Sequence, residues 1–216
     1  MPTQKSALII CNGEIPSQKL LQEVLRTKPF IICADGGANV ARKFNIKPNI
    51  IIGDFDSITA KTKKHFSSVE QIHITDQYST DLEKSLNYAV KNKIKKVIIL
   101  GGTGKRIDHT FSNLSVVAKY QKKIHITLKD NLHDIFLINK KIFLNYKIGT
   151  TLSLLPFGKC EGIITKGLQY PLKNETLEFG VREGTSNVII SSPISISVKK
   201  GKMFIFALKK IERRVS

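Results

Sequence analysis

The chain has 216 residues, 41% of them hydrophobic, and a formal net charge of +18. The length predicts one large domain or two small ones, and the hydrophobic content excludes a disordered chain. No apolar run approaches the roughly 20 residues of a membrane span, and the first residues lack the apolar region of a signal peptide. Three widely spaced cysteines indicate reduced thiols. Together these features predict a cytoplasmic protein with no membrane partner.

The positive charge by itself is typical of proteins that bind nucleic acids. Here it comes mostly from lysines scattered along the whole chain, with few aromatic residues between them. We therefore expect a general enrichment in lysine and no nucleic-acid partner. A basic surface of this kind would also attract small polyanionic substrates. A basic nucleic-acid-binding module remains an alternative from a different functional class.

Strand-like and helix-like segments alternate over about the first 128 residues. Short runs that are apolar throughout predict buried strands at 6–11, 30–34, 49–53, 71–75, 96–100 and 124–128. Apolar residues at helical spacing predict helices between them, and the last of these stripes contains Ile107, Phe111, Leu114 and Ala118. Thr80 and Glu83 have capping-box spacing. This alternation is typical of a mostly parallel sheet covered by helices on both faces.

The pattern changes after residue 131. Strand-like runs separated by Gly and Pro predict strands near 135–138, 142–144, 151–155, 163–164, 188–190, 194–198 and 203–208, and none of this region has a helical pattern. Such spacing is typical of an antiparallel sandwich. The predicted fold is an N-terminal three-layer α/β domain, residues 1–130, followed by a C-terminal antiparallel β-sandwich, residues 131–216.

The third predicted strand ends in Gly53 and then presents two carboxylates one residue apart, Asp54 and Asp56. Glycine lets the chain turn sharply, and side chains two residues apart lie on one side of an extended loop. Paired carboxylates suit Mg²⁺ and leave room for substrate phosphates. For this stretch taken alone, an ordinary Asp-rich turn is the alternative.

Three more predicted strands end in polar or glycine-rich loops, namely Asp35-Gly36-Gly37, Asp76-Gln77 with Asp81, and Gly101-Gly102-Thr103-Gly104. Open α/β sheets bind ligands at the carboxyl ends of their strands, so four such loops predict one binding site at the sheet edge. Carboxylates placed together there would repel one another unless a cation lies among them. We therefore expect Mg²⁺ holding a triphosphate, with four candidate ligands: Asp35, Asp54, Asp56 and Asp81.

The loop after the fifth predicted strand supplies groups that suit phosphates. Its glycines expose backbone N–H groups, and Arg106 can form a forked pair with phosphate oxygens. Asp108 can accept a hydrogen bond from a ribose hydroxyl or a ligand amine. Each feature also has an ordinary structural explanation, because glycines make turns and an acidic residue in the first turn of a helix is stabilised by the dipole.

Four segments resemble, in order and spacing, those of the thiamine pyrophosphokinase (thiamine diphosphokinase) family: Asp35-Gly36-Gly37-Ala38-Asn39, Gly53-Asp54-Phe55-Asp56-Ser57, Ser79-Thr80-Asp81-Leu82 and Gly101-Gly102-Thr103-Gly104-Lys105-Arg106-Ile107-Asp108-His109. The second domain continues the resemblance with Gly167-Leu168-Gln169-Tyr170-Pro171-Leu172 and Gly184-Thr185-Ser186-Asn187. The resemblance covers nearly the whole chain. It implies transfer of a pyrophosphoryl group from ATP to the thiamine hydroxyl, giving thiamine diphosphate and AMP, by a homodimer with a composite active site.

The resemblance also implies roles for individual residues. The metal positions are Asp35, Asp54, Asp56 and Asp81, and the catalytic positions are Asp54, Asp81 and Arg106, with the general base left open between the two acids. The ATP-binding positions are Gly36, Gly37, Asn39, Gly102, Thr103, Gly104, Arg106 and Asp108. The thiamine-binding positions are Gln77, Tyr170, Ser186 and Asn187. Tyr170 stands where many relatives have Trp, and its ring can still stack on a cation.

A phosphatase of the haloacid dehalogenase type is a rival enzyme class, because it also places Asp-x-Asp after a strand. In that class the first Asp is the nucleophile, and a later Lys and an acidic pair complete the site. This alternative leaves Asp35-Gly36-Gly37 and the whole second domain unexplained.

Overall fold

The computed structural model describes residues 5–209 and divides the chain into two compact units, an N-terminal unit, Met1–Asn131, and a C-terminal unit, Leu132–Ser216. Within the described residues, no helix combines the length and the apolar character that a membrane crossing requires. Each unit has its own hydrophobic core.

The N-terminal unit is a parallel sheet with helices between successive strands. Its elements are β1 (Ser6–Ile10), α1 (Gln18–Leu25), β2 (Phe30–Ala34), α2 (Gly37–Lys43), β3 (Ile50–Gly53), α3 (Ala60–His65), β4 (Glu70–His73), α4 (Asp81–Lys91), β5 (Lys96–Leu100), α5 (Ile107–Tyr120) and β6 (His125–Lys129). The strand order within this unit is β6-β5-β1-β2-β3-β4, and every neighbouring pair is parallel. The predicted α/β architecture is confirmed.

The core of this unit forms because its strands are apolar on both faces. Leu8, Ile10 and Ile51 pack in one cluster with the buried residues of α1 and α2. Alternate residues such as Ile9 and Ile50 are completely buried as well, and they point to the opposite face, since side chains alternate along a strand. The result is a rigid sheet whose carboxyl ends fix the positions of five loops.

Helix α5 differs from its predicted stripe. Ile107 is 85% exposed and Phe111 is 60% exposed, whereas the buried residues lie in the second half of the helix, at Val116, Val117, Ala118 and Tyr120. The prediction is right at Ala118 and wrong at the two exposed positions. The first turns of α5 line a cleft at the sheet edge instead of packing on the sheet.

The C-terminal unit is all β within the described residues. Its strands are β7 (His133–Ile138), β8 (Ile142–Leu144), β9 (Thr151–Pro156), β10 (Lys159–Lys166), β11 (Lys173–Glu178), β12 (Gly184–Val188), β13 (Ile194–Ser197) and β14 (Met203–Leu208). They follow the orders β12-β9-β14-β7 and β11-β10-β13-β8, and all the pairs are antiparallel. One core cluster includes residues of both sheets, among them Leu152, Ile163, Ile196 and Ile205. The predicted antiparallel sandwich is confirmed.

Three details of the sandwich differ from the sequence prediction. Strand β11 was not predicted, because Leu177 is its single fully buried residue and its other positions are polar or exposed, as is common for an edge strand. Strand β12 ends at Val188 instead of beginning there. Gly162, one of the glycines that separate the predicted strands, lies inside β10 with φ +65°, next to a register shift that marks a bulge.

Candidate active site

The loops after β1 to β5 meet at a cleft of about 460 Å³ at the carboxyl edge of the parallel sheet. This is the edge at which open α/β sheets bind ligands. The residues that line the cleft include Asn12, Asp35, Gly36, Asp54, Gln77, Asp81, Lys84, Gly102, Thr103, Gly104, Lys105, Arg106, His109 and Asn113.

Glycines let these loops approach one another closely. A Cβ atom on Gly53 would lie 2.7 Å from the Cβ atom of Asp35, and one on Gly13 would lie 2.3 Å from the carbonyl oxygen of Gly101. Real Cβ contacts are never that short, so a larger residue would push the loops apart. The sequence therefore places glycine where the loops after β2 and β3, and those after β1 and β5, touch.

Three carboxylates converge in the cleft. One oxygen each of Asp35, Asp54 and Asp81 lie within 4.8 Å of one another. Asp35 is only 2% exposed, and its Oδ1 atom is buried without a hydrogen-bond partner among the described residues. Hard carboxylate oxygens at this spacing suit Mg²⁺, and a cation would satisfy the unpaired oxygen. We conclude that the residues present fit a divalent cation.

The electrostatics of the cluster favour a cation as well. Burial raises the pKa of Asp35, the charge on Asp81 raises it further, and hydrogen bonds from Ser57 oppose the shift. Burial also raises the pKa of Asp81, where a hydrogen bond from Lys84 opposes the effect and the charges of Asp54 and Asp56 add to it. A cation among the carboxylates would favour their ionised forms.

Asp56 lies outside this group of three. The backbone of Phe55 has φ +67°, so the turn is not extended, and the Asp54 side chain accepts a hydrogen bond from the Asp56 N–H at 3.3 Å. Asp56 accepts a hydrogen bond from the hydroxyl of Ser57 at 2.8 Å. The ring of Phe55 stacks on His73, whose Nε2 lies 3.0 Å from the carbonyl oxygen of Asp54. A metal-binding role for Asp56 stays a prediction.

Lys84 is a member of the site that the sequence analysis missed. It is 4% exposed, and its Nζ lies 3.2 Å from Asp81 Oδ1 and 3.8 Å from Asp54 Oδ2. The hydroxyl of Thr80 accepts from the backbone N–H of Glu83, as the capping spacing predicted. The sequence contained one indication of this role. Lys84 follows Asp81 by three residues, and this spacing places both side chains on one helical face.

The glycine-rich loop after β5 is shaped by hydrogen bonds to its own backbone and to the β1 loop. Gly101 and Gly104 have φ +69° and +78°, which glycine adopts without strain. The side chain of Asn113 donates to the carbonyl oxygen of Gly102 at 2.8 Å, and Lys105 Nζ donates to that of Asn12 at 2.9 Å. Sequence reasoning missed the contributions of Asn12, Lys105, His109 and Asn113, which depend on tertiary contacts.

Arg106 and Asp108 form an exposed, two-pronged ion pair. Arg106 Nε lies 3.2 Å from Asp108 Oδ1 and Arg106 Nη2 lies 2.5 Å from Asp108 Oδ2. The hydrogen bond from Arg106 lowers the pKa of Asp108 and the same bond raises the pKa of Arg106. Arg106 lines the cleft and Asp108 does not. Asp108 therefore orients the guanidinium group in this structure.

Besides Asp108, two more predicted ATP-binding residues, Gly37 and Asn39, do not line the cleft. Gly37 lies under the end of β1, where its Cβ would be 1.9 Å from the carbonyl oxygen of Ile10. The Asn39 amide donates to the carbonyl oxygen of Ser57 at 2.8 Å and accepts from the N–H of Thr59 at 3.2 Å. Both residues shape the loops that carry the carboxylates.

The predicted thiamine-binding residues are divided between the units. Gln77 lines the N-terminal cleft, whereas Tyr170, Ser186 and Asn187 lie in the C-terminal unit. The Tyr170 side chain is exposed, and the buried amide of Asn187 accepts from the Tyr170 N–H at 3.0 Å and donates to the Tyr170 carbonyl oxygen at 2.7 Å. The Ser186 N–H donates to the hydroxyl of Ser153 at 3.0 Å. Asn187 thus holds Tyr170 in place.

Comparison with known proteins gives the family of the chain. The family model for the catalytic domain of thiamin pyrophosphokinase matches residues 21–128, and the model for its vitamin B1 binding domain matches residues 139–203. This chain belongs to the thiamine pyrophosphokinase family. The C. elegans protein "Thiamin pyrophosphokinase 1" is 29% identical to it, over 94% of this chain and 89% of that protein. The Bacillus subtilis thiamine pyrophosphokinase is 28% identical over 79% and 83%.

Solved structures of thiamine pyrophosphokinases share the fold. The crystal structure of the Bacillus subtilis protein superposes with a TM-score of 0.87 at 24% identity, covering 96% of this chain and all of that one. The yeast structure gives a TM-score of 0.83 at 22% identity, with 95% and 86% covered. At this level of identity the likeness shows the fold.

The raised pKa of Asp35 predicts how its charge affects stability. A raised folded-state pKa means that protonation stabilises the fold, and this contribution is lost as the pH rises through the folded pKa. In metal-free protein at pH 7, Asp35→Asn should therefore raise the free energy of unfolding by about 1–2 kcal/mol, because one of several close like charges is removed. Urea unfolding with EDTA measures this, and the gain should shrink as the pH approaches 4.

Asp76→Asn is the matched control, since hydrogen bonds from the Ser79 side chain and the Tyr78 N–H lower the pKa of Asp76. Its removal should give no gain at pH 7. A loss of stability in Asp35→Asn under the same conditions would contradict the electrostatic account of the cluster.

The hydrogen bonds of Asn187 predict a structural cost at the Tyr170 loop. Asn187→Ala leaves the N–H and carbonyl of Tyr170 without their partner and should lower the free energy of unfolding by about 1–3 kcal/mol. Gln169→Ala is the control, because that side chain is exposed and its change should cost under about 0.5 kcal/mol. If Asn187→Ala and Gln169→Ala lowered the free energy of unfolding by the same small amount in thermal or urea unfolding, the Asn187 hydrogen bonds would not hold the loop.

Proposed function

We propose that this protein is a thiamine diphosphokinase, which transfers a pyrophosphoryl group from ATP to the hydroxyl of thiamine and yields thiamine diphosphate and AMP. The observation that carries the proposal is the convergence of Asp35, Asp54 and Asp81 within 4.8 Å, in the same cleft as a glycine-rich loop and Arg106. Membership of the family supports ATP and thiamine as the substrates of this cleft.

Asp35, Asp54 and Asp81 would hold Mg²⁺, and Asp56 is proposed as a further ligand. When bound, the ion supplies positive charge to the phosphate oxygens. The carboxylates would fix that ion at the carboxyl edge of the sheet, in the same cleft as the loop proposed to bind phosphates. Asp35 is fixed for this task, since its Oδ2 accepts the backbone N–H of Ser57 at 3.1 Å.

The loop after β5 would bind the phosphates directly. Backbone N–H groups of the turn at 102–104 would donate to phosphate oxygens, and Arg106 would form forked hydrogen bonds with them as the charge of the transition state develops. In the protein without nucleotide, Asp108 orients the guanidinium group of Arg106. Catalysis by these groups is a matter of position and charge, which is typical of phosphoryl transfer.

The attacking hydroxyl of thiamine would be aligned by Asp54 or Asp81. Either carboxylate can accept the hydroxyl proton as the oxygen attacks the β-phosphorus of ATP and AMP leaves. Gln77 lines the same cleft and can bind a polar group of either substrate. The Asp81 carboxylate is the more restrained of the two, since it starts α4 and pairs with Lys84.

Thiamine recognition is assigned to the C-terminal unit. The exposed ring of Tyr170 offers a face on which the cationic thiazolium ring can stack. Ser186 is exposed and lies within β12 with a left-handed φ of +57°, and its side chain would contact thiamine. Asn187 stabilises this surface through the hydrogen bonds of its side chain to the Tyr170 backbone.

A homodimer with a composite site is part of the proposal. The phosphate-binding groups lie in one unit and most of the predicted thiamine-binding groups in the other. Tyr78 and Ile107, which flank the loops of the cleft, expose apolar surface that a second subunit would cover. A reducing cytoplasmic setting is also proposed, since Cys11, Cys33 and Cys160 are free and buried.

The first test is release of AMP from ATP and Mg²⁺ with and without thiamine. We expect release that depends on thiamine, and a fall of about 100-fold or more in Asp54→Asn because a charge-stabilising group is lost. Glu70→Gln removes an exposed acid from the same sheet and should keep full activity. Phosphate-ester hydrolysis without ATP would favour the phosphatase alternative, and salt-sensitive nucleic-acid binding without AMP release would favour the binding module.

The composite site is tested by mixing two inactive chains. Asp54→Asn and Tyr170→Ala damage different units, so a dimer with one chain of each kind keeps one intact site if each site uses both subunits. Random mixing of equal amounts should then restore about a quarter of the wild-type activity. No restoration after confirmed subunit exchange would place both halves of the site in one chain.

A further inference from the structure

Lys84 is a buried lysine directed into the acidic cluster. Its side chain is 3% exposed, and its Nζ contacts Asp81 Oδ1 at 3.2 Å and Asp54 Oδ2 at 3.8 Å. A buried ammonium group is costly unless it is paired. Its position between two of the three converging carboxylates is therefore a specific arrangement and not a solvated lysine on a helix surface.

The local structure fixes Lys84 in this position. Helix α4 begins at Asp81 and is capped by Thr80, so residue 84 lies one turn further along the same face. Its helical neighbours Ser85 and Leu86 are completely buried, which prevents the helix from turning to expose the lysine. The ammonium group must therefore remain beside Asp54 and Asp81.

The formal charges of the cluster explain what the lysine does. Asp35, Asp54 and Asp81 bring three negative charges, and Lys84 brings one positive charge. Two negative charges remain, which a single divalent cation neutralises. Lys84 pairs with Asp54 and Asp81, whereas the buried Asp35 Oδ1 has no hydrogen-bond partner among the described residues, and this oxygen is left for the cation.

We propose that Lys84 is a positioning residue that acts as the resident cation of the site. It holds the carboxylates of Asp54 and Asp81 in place, and it limits the affinity of the metal-free cluster for a divalent cation so that the ion can be exchanged with the nucleotide. The exchange of the ion with the nucleotide rests on the proposed function. The effect of Lys84 on the affinity of the cluster for a divalent cation does not.

The test measures binding of Mn²⁺ alone to the full-length protein by electron paramagnetic resonance, at pH 8 and without nucleotide or thiamine. Lys84→Met removes the charge and keeps the length, and it should bind Mn²⁺ about tenfold more tightly than wild type, because a cation near the ligands is gone. Lys84→Arg keeps the charge and should stay within about threefold of wild type. Lys91→Met removes an exposed charge from the same helix and should change the affinity by less than about twofold.

Unchanged or weaker Mn²⁺ binding in Lys84→Met would overturn the inference, as would a wild type that binds no Mn²⁺. Lys84→Gln is measured in parallel, with the same expected direction, because a buried methionine beside carboxylates can prevent folding. Circular dichroism confirms that each variant compared is folded.

A second readout separates positioning from a general structural role. In the AMP-release assay, Lys84→Met should lower kcat by about tenfold or more while the KM for thiamine stays within about twofold, and Lys84→Arg should recover part of kcat. If wild type releases no AMP but the order of Mn²⁺ affinities holds, the proposed function fails and the role of Lys84 stands. If release depends on thiamine and the affinities do not differ, the role of Lys84 fails.

Discussion

The mutual repulsion of three carboxylates at the edge of a parallel sheet is the constraint on which the N-terminal unit depends. Asp35, Asp54 and Asp81 come from three different loops, and in metal-free protein their proximity opposes folding. The apolar strands beneath them supply the stability that holds them together, since Ile32, Ile50 and Ile52 are completely buried. The site is thus held in an unfavourable electrostatic state by the core, as is common where a protein must bind a ligand.

Close approach of the loops is a second requirement of the same site, and glycine satisfies it. Gly53 touches Asp35, and Gly13 touches the backbone of Gly101. The same acids on another sheet edge would not form this cluster if larger residues stood in place of Gly13 and Gly53, because their side chains would keep the loops, and so the carboxylates, apart. The site therefore depends on both sets of residues. The glycines determine how closely the loops approach one another, and the acids supply the negative charge.

The sequence predicted the elements that depend on local pattern and missed those that depend on tertiary contact. Alternation of apolar runs and helical stripes identified the parallel sheet, and the rule that ligands bind at strand ends located the cleft. The left-handed Phe55, which separates Asp56 from the other acids, has no sequence signal, since non-glycine residues rarely adopt that conformation. Lys84 was missed because lysine is normally a surface residue. Ile107 was wrongly predicted to be buried, because the first turns of its helix line the cleft and do not pack on the sheet.

Two asparagines in the predicted binding segments stabilise the backbone of neighbouring loops. Asn39 follows the acidic turn after β2, and Asn187 lies beside the exposed Tyr170, yet each uses its side-chain amide on the backbone of another loop. An amide suits this purpose, because it offers a donor and an acceptor together, as a backbone unit does. Substitution there would displace the backbone of a loop, so part of its effect on ligand binding would come from the movement of Ser57 or Tyr170.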